Sequence, residues 1–596
     1  MGFDYWLVHL TWTVPPALLT TALYWPFFSK LEMAKVSALV SMAVVCTLPW
    51  DSFLVRNRIW SYPTDAVVGI SFFSVPIEEI FFFVIQTYNT GILYVILTKQ
   101  LVLPVYLGNR TSARRRLAGF LGLGSVFLLA LLGVVSRGRH TYMSLILAWV
   151  TPFLMLQWAV CSHFLLALPR ARLLLTVLLP SLYLCIVDAL ALRRGTWVIE
   201  DGTKMGYEVL GLLEIEEAVF FFVTNLMIVM GLVTVDYHIA MEEYQMARSP
   251  SPGKRFPSLT RLLRGCKEPD ADFIRGLADA VDVVSSKSQT MYMGSAMFEA
   301  ALRIDLILLY NFCRVLDDVV DEADDLEAAR SAVQTCRQAL RVRFQQSTEK
   351  TTDDYHFVCA SPALSSAIAL LPVSRLSIEP LDSLLLGFET DFDFSQAASG
   401  YGDDWPIATE RDLETYAYRV AGTVAASLLS LVLYHYPLDD DDGQQRQGTT
   451  GDDNDDDARR GIVTAGARMG QALQYVNIAR DVGRDAAIGR VYLPQTWLRQ
   501  EGLDAASVVA RPRDGPMAKL QGRMLDKAHR AYRATEAVMD ELPVEVRGPI
   551  RTVVEGYMAI AGSVLADGLR GKGKLKLPWW RRLIVARRAM GRAKGV

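Results

Sequence analysis

Paired cysteines are missing from this chain. Its seven cysteines are scattered, with no Cys-x-x-Cys among them, so neither a disulfide framework nor a structural zinc site is indicated and a reducing compartment fits best. The seven histidines are equally dispersed, no two standing three to five residues apart, which argues against a zinc or di-iron centre built on histidine clusters. A basic excess is missing as well. With 61 Lys and Arg against 64 Asp and Glu, the chain lacks the electrostatic footprint of a dedicated nucleic-acid binder. There is no Gly-rich dinucleotide fingerprint. Charge of either sign is scarce in one part only: residues 1–240 carry 30 charged side chains and the remaining 356 residues carry 95. A single soluble domain does not divide that way, and 596 residues suffice for two to four domains. A composition 51% apolar and 21% charged also excludes a disordered chain, a collagen or a coiled coil.

The charge-poor part is a succession of uncharged stretches at 5–29, 36–50, 66–77 continuing at 80–98, 117–136, 141–169, 173–187 and 218–235. A helix needs about 20 mostly apolar residues to cross about 30 Å of hydrocarbon. Seven transmembrane helices are therefore expected, over 5–28, 34–54, 66–98, 117–136, 142–165, 171–192 and 207–235. Asp4 precedes the first and no basic stretch does, so it reads as an anchor rather than a cleaved signal.

An internal repeat underlies these spans. Asp51 to Trp60 aligns with Asp188 to Trp197 at an offset of 137, and Pro76-Ile-Glu78-Glu79 aligns with Glu214-Ile-Glu216-Glu217 at an offset of 138. Spans one to three thus recur as five to seven, with span four as connector. Because three is odd, the repeats run parallel, related by an axis along the membrane normal. The side bearing loops 1–2, 3–4 and 5–6 holds nine Lys and Arg against seven on the other, which places the C-terminal part in the cytosol.

Carboxylates within membrane segments are costly, about 2.5–3.5 kcal/mol at a helix centre, and mostly face a cavity or a partner. The first pair is expected inside span three and the second at the head of span seven. Neighbours diverge by about 100° on a helix, so one of each pair would face the centre while the other reaches a polar partner. Two inward carboxyls drawn from Glu78, Glu79, Glu216 and Glu217 would then form an acid/base pair in an apolar chamber, burial keeping the acid protonated. The plainer alternatives are an interface position or a helix-packing hydrogen bond.

Residues 238–268, with Ser249-Pro-Ser-Pro-Gly253, read as a breaker-rich linker. A second domain, 269–596, follows with apolar residues at helical spacing. The aspartate-rich run within 438–458 has no apolar positions and is expected to be a disordered loop. Two other acidic rows lie in apolar surroundings. Asp317 and Asp321 share one helical face, as do Asn477, Asp481 and Asp485. Across a cavity, two such rows would hold hard divalent cations by oxygen alone, and the implied substrate carries a diphosphate whose departure the metal assists. Each row taken singly is more simply a solvated helix face.

Five segments carry a resemblance. Tyr310-x-x-x-Arg314-x-x-Asp317-Asp318-x-x-Asp321 and Gln474-x-x-Asn477-Ile-x-Arg480-Asp481-x-x-x-Asp485, with Tyr492-Leu-Pro494 after it, resemble the two aspartate-rich motifs of the squalene/phytoene synthases. Ser286-Lys287-Ser288, Gly387-Phe-Glu-Thr-Asp391 and Tyr416-Ala-Tyr418-Arg419-Val-Ala-Gly422 resemble three further motifs of that family, in its order. The N-terminal part, with its repeated glutamate pair, resembles the small integral-membrane lycopene β-cyclases. Fused in this order, the two are similar to the bifunctional lycopene cyclase/phytoene synthases of carotenogenic fungi.

The resemblance implies an all-α protein: a seven-span domain with parallel duplication, then an isoprenoid-synthase-type helical domain. It implies head-to-head condensation of two geranylgeranyl diphosphates to 15-cis-phytoene through a cyclopropyl diphosphate, with Mg²⁺ (or Mn²⁺) on Asp317, Asp321, Asn477, Asp481 and Asp485. Ser286 and Arg314 are implied diphosphate contacts; Tyr310, Tyr416, Tyr418 and Gln474 line or organise the pocket. The membrane half would cyclise lycopene or neurosporene by glutamate protonation, without a cofactor. The bilayer, and a phytoene desaturase among other carotenoid enzymes, are the implied partners, and an endomembrane such as the endoplasmic reticulum the implied location. Gln289 departs from the family's Phe after Ser-Lys-Ser, and no C-terminal tyrosine stands out. The tail from Leu577 reads as an interfacial membrane contact or an unstructured basic end. The rival for the synthase half is a squalene or dehydrosqualene synthase; for the membrane half, a transporter-like or non-catalytic anchor.

Overall fold

The computed structural model describes residues 2–108, 112–199, 202–209, 211–249, 269–349, 359, 361–398, 405–438, 453–512, 515–567 and 577–593. The chain divides into two compact units, Met1–Tyr244 with Arg255–Ile274, and Gln245–Lys254 with Arg275–Val596.

The first unit opens with α1 (Asp4–Val8) and α2 (Val14–Tyr24), joined through a π-helical turn at His9–Thr13. Six long apolar helices follow: α3 (Lys30–Arg56), α4 (Ile77–Thr98), α5 (Ala113–Ser136), α6 (Thr141–Ala167), α7 (Arg170–Arg194) and α8 (Ile215–Arg248). Each is long and apolar enough to cross a membrane. A seventh helical stretch with those properties, Glu410–His435, lies in the second unit, where it contributes Leu413, Leu429 and Val432 to buried cores. Length and hydropathy alone do not separate a span from a core helix.

In the first unit burial is inverted relative to a water-soluble fold. Leucines such as Leu18, Leu128, Leu132 and Leu182 are exposed, whereas Asp51, Glu78, Asp188 and Glu216 are buried. Such an exterior suits lipid, and the polar side chains turn inward, where they can find partners. The α5 and α6 helices approach closely because glycine stands at their contact: a Cβ at Gly119 would come within 2.2 Å of the Trp158 ring.

Two expected spans begin later than the hydropathy indicates. Residues 66–76, 207–209 and 211–214 are not helical. Both regions contain a hairpin, β2 (Ser71–Phe72) with β3 (Val75–Pro76) and β5 (Glu208–Val209) with β6 (Leu213–Glu214). Pro76 is the N-cap of α4, the place where its missing N–H costs least. Both glutamate pairs therefore stand in the first turn of a helix, rather than inside it as expected for Glu78 and Glu79. The two halves of the repeat are also stitched together, since β1 (Trp60–Ser61) pairs antiparallel with β4 (Val198–Ile199).

Among its described residues the second unit is built of helices and connecting loops, without strands. Its longest helix, Asp453–Ala487, begins within the aspartate run expected as a loop; acidic residues suit the positive end of a helix dipole. The rest of that run, 439–452, lies outside the described residues. So does most of the expected linker, 250–268, whereas 238–248 continues α8. The basic tail is not irregular: Trp579–Ala593 is a helix that buries Ala589 and Met590 and leaves Trp579, Trp580, Leu583 and Ile584 exposed.

Candidate functional sites

In the first unit the glutamates divide their work as helical geometry requires. Glu78 Oε1 accepts the Val68 N–H at 2.8 Å, and Glu216 Oε1 accepts the Met205 N–H at 2.7 Å. Their neighbours turn to tyrosines. The Tyr5 hydroxyl donates to Glu79 Oε2 at 2.5 Å and the Tyr62 hydroxyl to the same oxygen at 3.0 Å, while the Tyr142 hydroxyl donates to Glu217 Oε1 at 2.8 Å. None of the four glutamates is more than 2% exposed. The symmetry extends beyond the motif: Tyr5 and Tyr142, like Val68 and Met205, stand 137 residues apart, as do Asp51 and Asp188.

Asp51 and Asp188 are buried close to these acids. Both Asp51 carboxyl oxygens and Asp188 Oδ2 lack a hydrogen-bond partner. A small cavity opens between the repeats, with Glu79, Asp188, His9, Trp60, Trp197 and Phe220 among its walls. His9 is fixed there by the Glu78 carbonyl at 3.0 Å and by Thr13 Oγ1 at 3.1 Å, and it stacks on Tyr5. Sequence reasoning missed the tyrosines, His9 and the role of the two aspartates. The repeat offset could have found Tyr5 and Tyr142; nothing in the sequence marks Tyr62 or His9.

In the second unit the two acidic rows border one arginine. Arg490 Nη2 donates to Asp321 Oδ1 at 3.2 Å, and its charge also reaches Asp317, Asp391 and Asp485. The rows are laced with other arginines. Arg314 holds Asp317 at 2.8 Å and Asp318 at 2.5 Å, and Arg480 holds Asp481 through both carboxylate oxygens. Burial, reinforced by Asp321, pushes the Asp317 carboxyl up to about 6. Burial and Asp481 push Asp485 to about 7. Among the described residues no three His, Cys, Asp or Glu side chains converge as a metal cage, since arginines occupy most of these carboxylates. The donors nevertheless fit a hard cation: all are oxygens, Asn477 Oδ1 is buried with no partner, and two carboxyls carry an affinity for positive charge that their arginines do not satisfy.

Tyr310 donates to Ser288 Oγ at 3.0 Å, and burial pushes its phenol up to about 12. Ser286 is exposed, bonded to the Asp282 carbonyl at 2.6 Å, and Gln474 accepts from Asn477 at 3.3 Å. Tyr416 and Tyr418 part company. Tyr416 is buried, stacked on Tyr492, and both hydroxyls donate to Asp391. Tyr418 is 44% exposed; two residues along a helix point to nearly opposite sides, so a tyrosine pair facing one pocket is not what the spacing gives. Asp391, Tyr492 and Arg490 were missed as a cluster. Tyr557, in electrostatic contact with Tyr310, Arg480 and Asp481, is a further tyrosine that the sequence did not single out.

An apolar cavity adjoins the Asp453–Ala487 helix, with Ile462, Gly466, Gly470 and Leu473 in its wall. Beyond Leu473 the same i, i+4 row continues through Asn477, Asp481 and Asp485, winding gradually round the helix. The row therefore passes from apolar side chains to carboxylate and amide oxygens over about 35 Å. Gly470 is required: a Cβ there would meet the Ala421 carbonyl oxygen at 2.6 Å.

The comparisons with known proteins concern the chain as a whole. Residues 284–581 match the squalene/phytoene synthase family. The chain is 44% identical to a bifunctional lycopene cyclase/phytoene synthase of Arthroderma gypseum over 98% of both chains, and 44% identical to that of Aspergillus oryzae over 99% of both. A dehydrosqualene synthase crystallised with a ligand is similar over 55% of this chain and 99% of its own, at 19% identity and a TM-score of 0.42. Aligned nearly end to end with such relatives, the chain belongs to the bifunctional lycopene cyclase/phytoene synthases, membrane-associated enzymes of carotenoid biosynthesis.

Proposed function

We propose that the second unit condenses two C20 geranylgeranyl diphosphates head to head into 15-cis-phytoene, and that the first closes the ends of lycopene or neurosporene into β-ionone rings. The observation that carries the first half is the row on Asp453–Ala487. A prenyl chain fits the apolar cavity beside Ile462 to Leu473 while its diphosphate meets the oxygen row beyond. Asp317, Asp321, Asn477, Asp481 and Asp485 would hold Mg²⁺, or Mn²⁺, which when bound offsets the diphosphate charge and eases its loss. Arg314, Arg480 and Arg490 stand at the same carboxylates to take the released anion. The allylic cation adds to the second molecule's double bond and a proton is lost as the three-membered ring closes, giving the cyclopropyl diphosphate; this ionises again, rearranges and loses a second proton to give phytoene. Tyr310, Tyr416 and Gln474 bound the polar end, and the apolar wall keeps water from the cation. Ser286 would contact diphosphate from its exposed position. Tyr418 is left without a role at the reacting atoms.

Purified full-length protein given C15 or C20 diphosphate, with and without NADPH, tests this. Phytoene from the C20 substrate without NADPH is expected; a C30 product, or dependence on NADPH, overturns it. Chain length is set by the cavity, so Ala465→Phe is expected to shift the C15-to-C20 preference by at least about tenfold, each buried methylene being worth about 0.8 kcal/mol.

The acidic rows also predict a pH effect. Asp317 and Asp485 ionise less readily folded than unfolded, so the folded state binds more protons between about pH 4 and 7. Stability of the metal-free protein is expected to fall as pH rises through that window, the deficit being complete above about 7. Thermal melts should show Mg²⁺ raising the melting temperature much more at pH 8 than at pH 5.

In the membrane half, Glu79 and Glu217 are the inward members of their pairs, and Glu78 and Glu216 the ones latched to backbone. Of the inward two, Glu79 lies in the cavity wall and supplies the protonating acid. The second unit would face the cytosol, in an endomembrane such as the endoplasmic reticulum.

A further inference from the structure

Cyclisation of a lycopene end needs a proton delivered to one carbon and another removed from a different carbon. The first unit offers an acid for delivery in Glu79, and the remaining question is which group removes the second proton. The repeat suggests Glu217 by symmetry, but the cavity is not symmetric. Its two carboxyl side chains are Glu79 from the first repeat and Asp188 from the second; Glu217 is not in its wall. Glu79 Oε2 holds two tyrosine hydroxyls, and such donors stabilise the anion left after a proton is given up. Asp188 is the opposite case. It is 2% exposed, its Oδ2 has no partner, and it looks into the same cavity. With no tyrosine on it and only the Trp197 indole as a neighbouring donor, the Asp188 carboxylate is the stronger base of the two. Trp60, Trp197, Phe82 and Phe220 line the same cavity, and aromatic rings suit a passing carbocation.

From this geometry we infer that Asp188 is the catalytic base of the cyclase, paired across the repeats with Glu79 as the acid. Glu79 protonates C2 of the terminal double bond, leaving a tertiary cation at C1. The C5=C6 π-electrons form the C1–C6 bond and the cation moves to C5. Asp188 takes the hydrogen from C6, and the electrons of that C–H bond become the C5=C6 double bond of the β-ring. One proton enters and one leaves, so no oxidant or reductant is needed; return of a proton to Glu79 resets the pair. The inference rests on the cyclase reading given above.

Phytoene formation by the second unit reports that the chain is made, and rescue by Asp188→Glu reports that the first unit is folded. In lycopene-accumulating cells Asp188→Asn is expected to lower β-ring formation at least about 100-fold. Pigments in which the C5 cation has lost a different proton, or has captured water, should appear in their place, and Asp188→Glu should restore β-rings in part. Phytoene formation should not change in either variant. β-Rings from Asp188→Asn at more than one-tenth of the unsubstituted level overturn the assignment. So does unconverted lycopene with neither diverted products nor rescue by Asp188→Glu. Glu79→Gln separates the two ideas: if it cyclises lycopene normally, the acid reading itself fails, whatever Asp188 does.

Discussion

Asp485→Asn is expected to lower phytoene formation by about three orders of magnitude, on the order of 4 kcal/mol of barrier, while lycopene cyclisation continues. The size follows from the site's function. The row on Asp453–Ala487 would share the charge of a departing diphosphate, and an amide in place of its last carboxylate leaves that charge unbalanced at the moment of ionisation. The same substitution has the opposite effect on the folded protein. Burial and Asp481 hold the Asp485 carboxyl up at about 7, so its ionised form is a liability without metal. Water reaches this half-buried side chain and screens part of that cost, which leaves a gain on the order of 1 kcal/mol, or about 2–4 °C in metal-free melting temperature at pH 8. Activity falling while stability rises distinguishes a ligand from a structural carboxylate, which on removal would lower both. A radiolabelled-product assay beside thermal melts, with and without Mg²⁺, measures the two.

How much of this was legible beforehand varies with the kind of signal. Both acidic rows could be read because helical periodicity puts i, i+4 and i+8 on one face, and the structure keeps Asn477, Asp481 and Asp485 on a single helix. Periodicity also exposes the error over Tyr416 and Tyr418, whose spacing of two belongs to a strand. The hairpins before Ile77 and Ile215 were hidden by hydropathy, since Val75, Leu212 and Leu213 are as apolar as a span. Only Pro76 and glycines such as Gly211, at φ +65°, register the break. Contacts between distant segments had no local signature at all. Tyr5 meets Glu79 across 74 residues, and Arg490 meets Asp321 across 169. The repeat could have carried the first, because its 137-residue offset ties Tyr5 to Tyr142. It would have misled on the cavity, where the second repeat presents Asp188 rather than a glutamate.

That asymmetry sets the other large effect. Glu79→Gln is expected to abolish β-ring formation, a loss of at least about 10³-fold, because an amide has no proton to give a double bond. Phytoene should still be made at the unsubstituted rate. The Tyr5 and Tyr62 hydroxyls can donate to the amide oxygen as they did to the carboxylate, so packing around residue 79 survives and the defect is chemical. Glu217→Gln is the informative contrast. It keeps the bond from Tyr142 in the same way, but residue 217 lies outside the cavity wall, so the loss there should be smaller, about tenfold. Two equal losses would mean that each repeat runs its own chemistry on one end of the substrate. Unequal losses mean that duplication has left one working chamber, with the second glutamate pair kept for its fold. Pigment analysis of the two variants in lycopene-producing cells, with phytoene measured in the same cells, separates these outcomes.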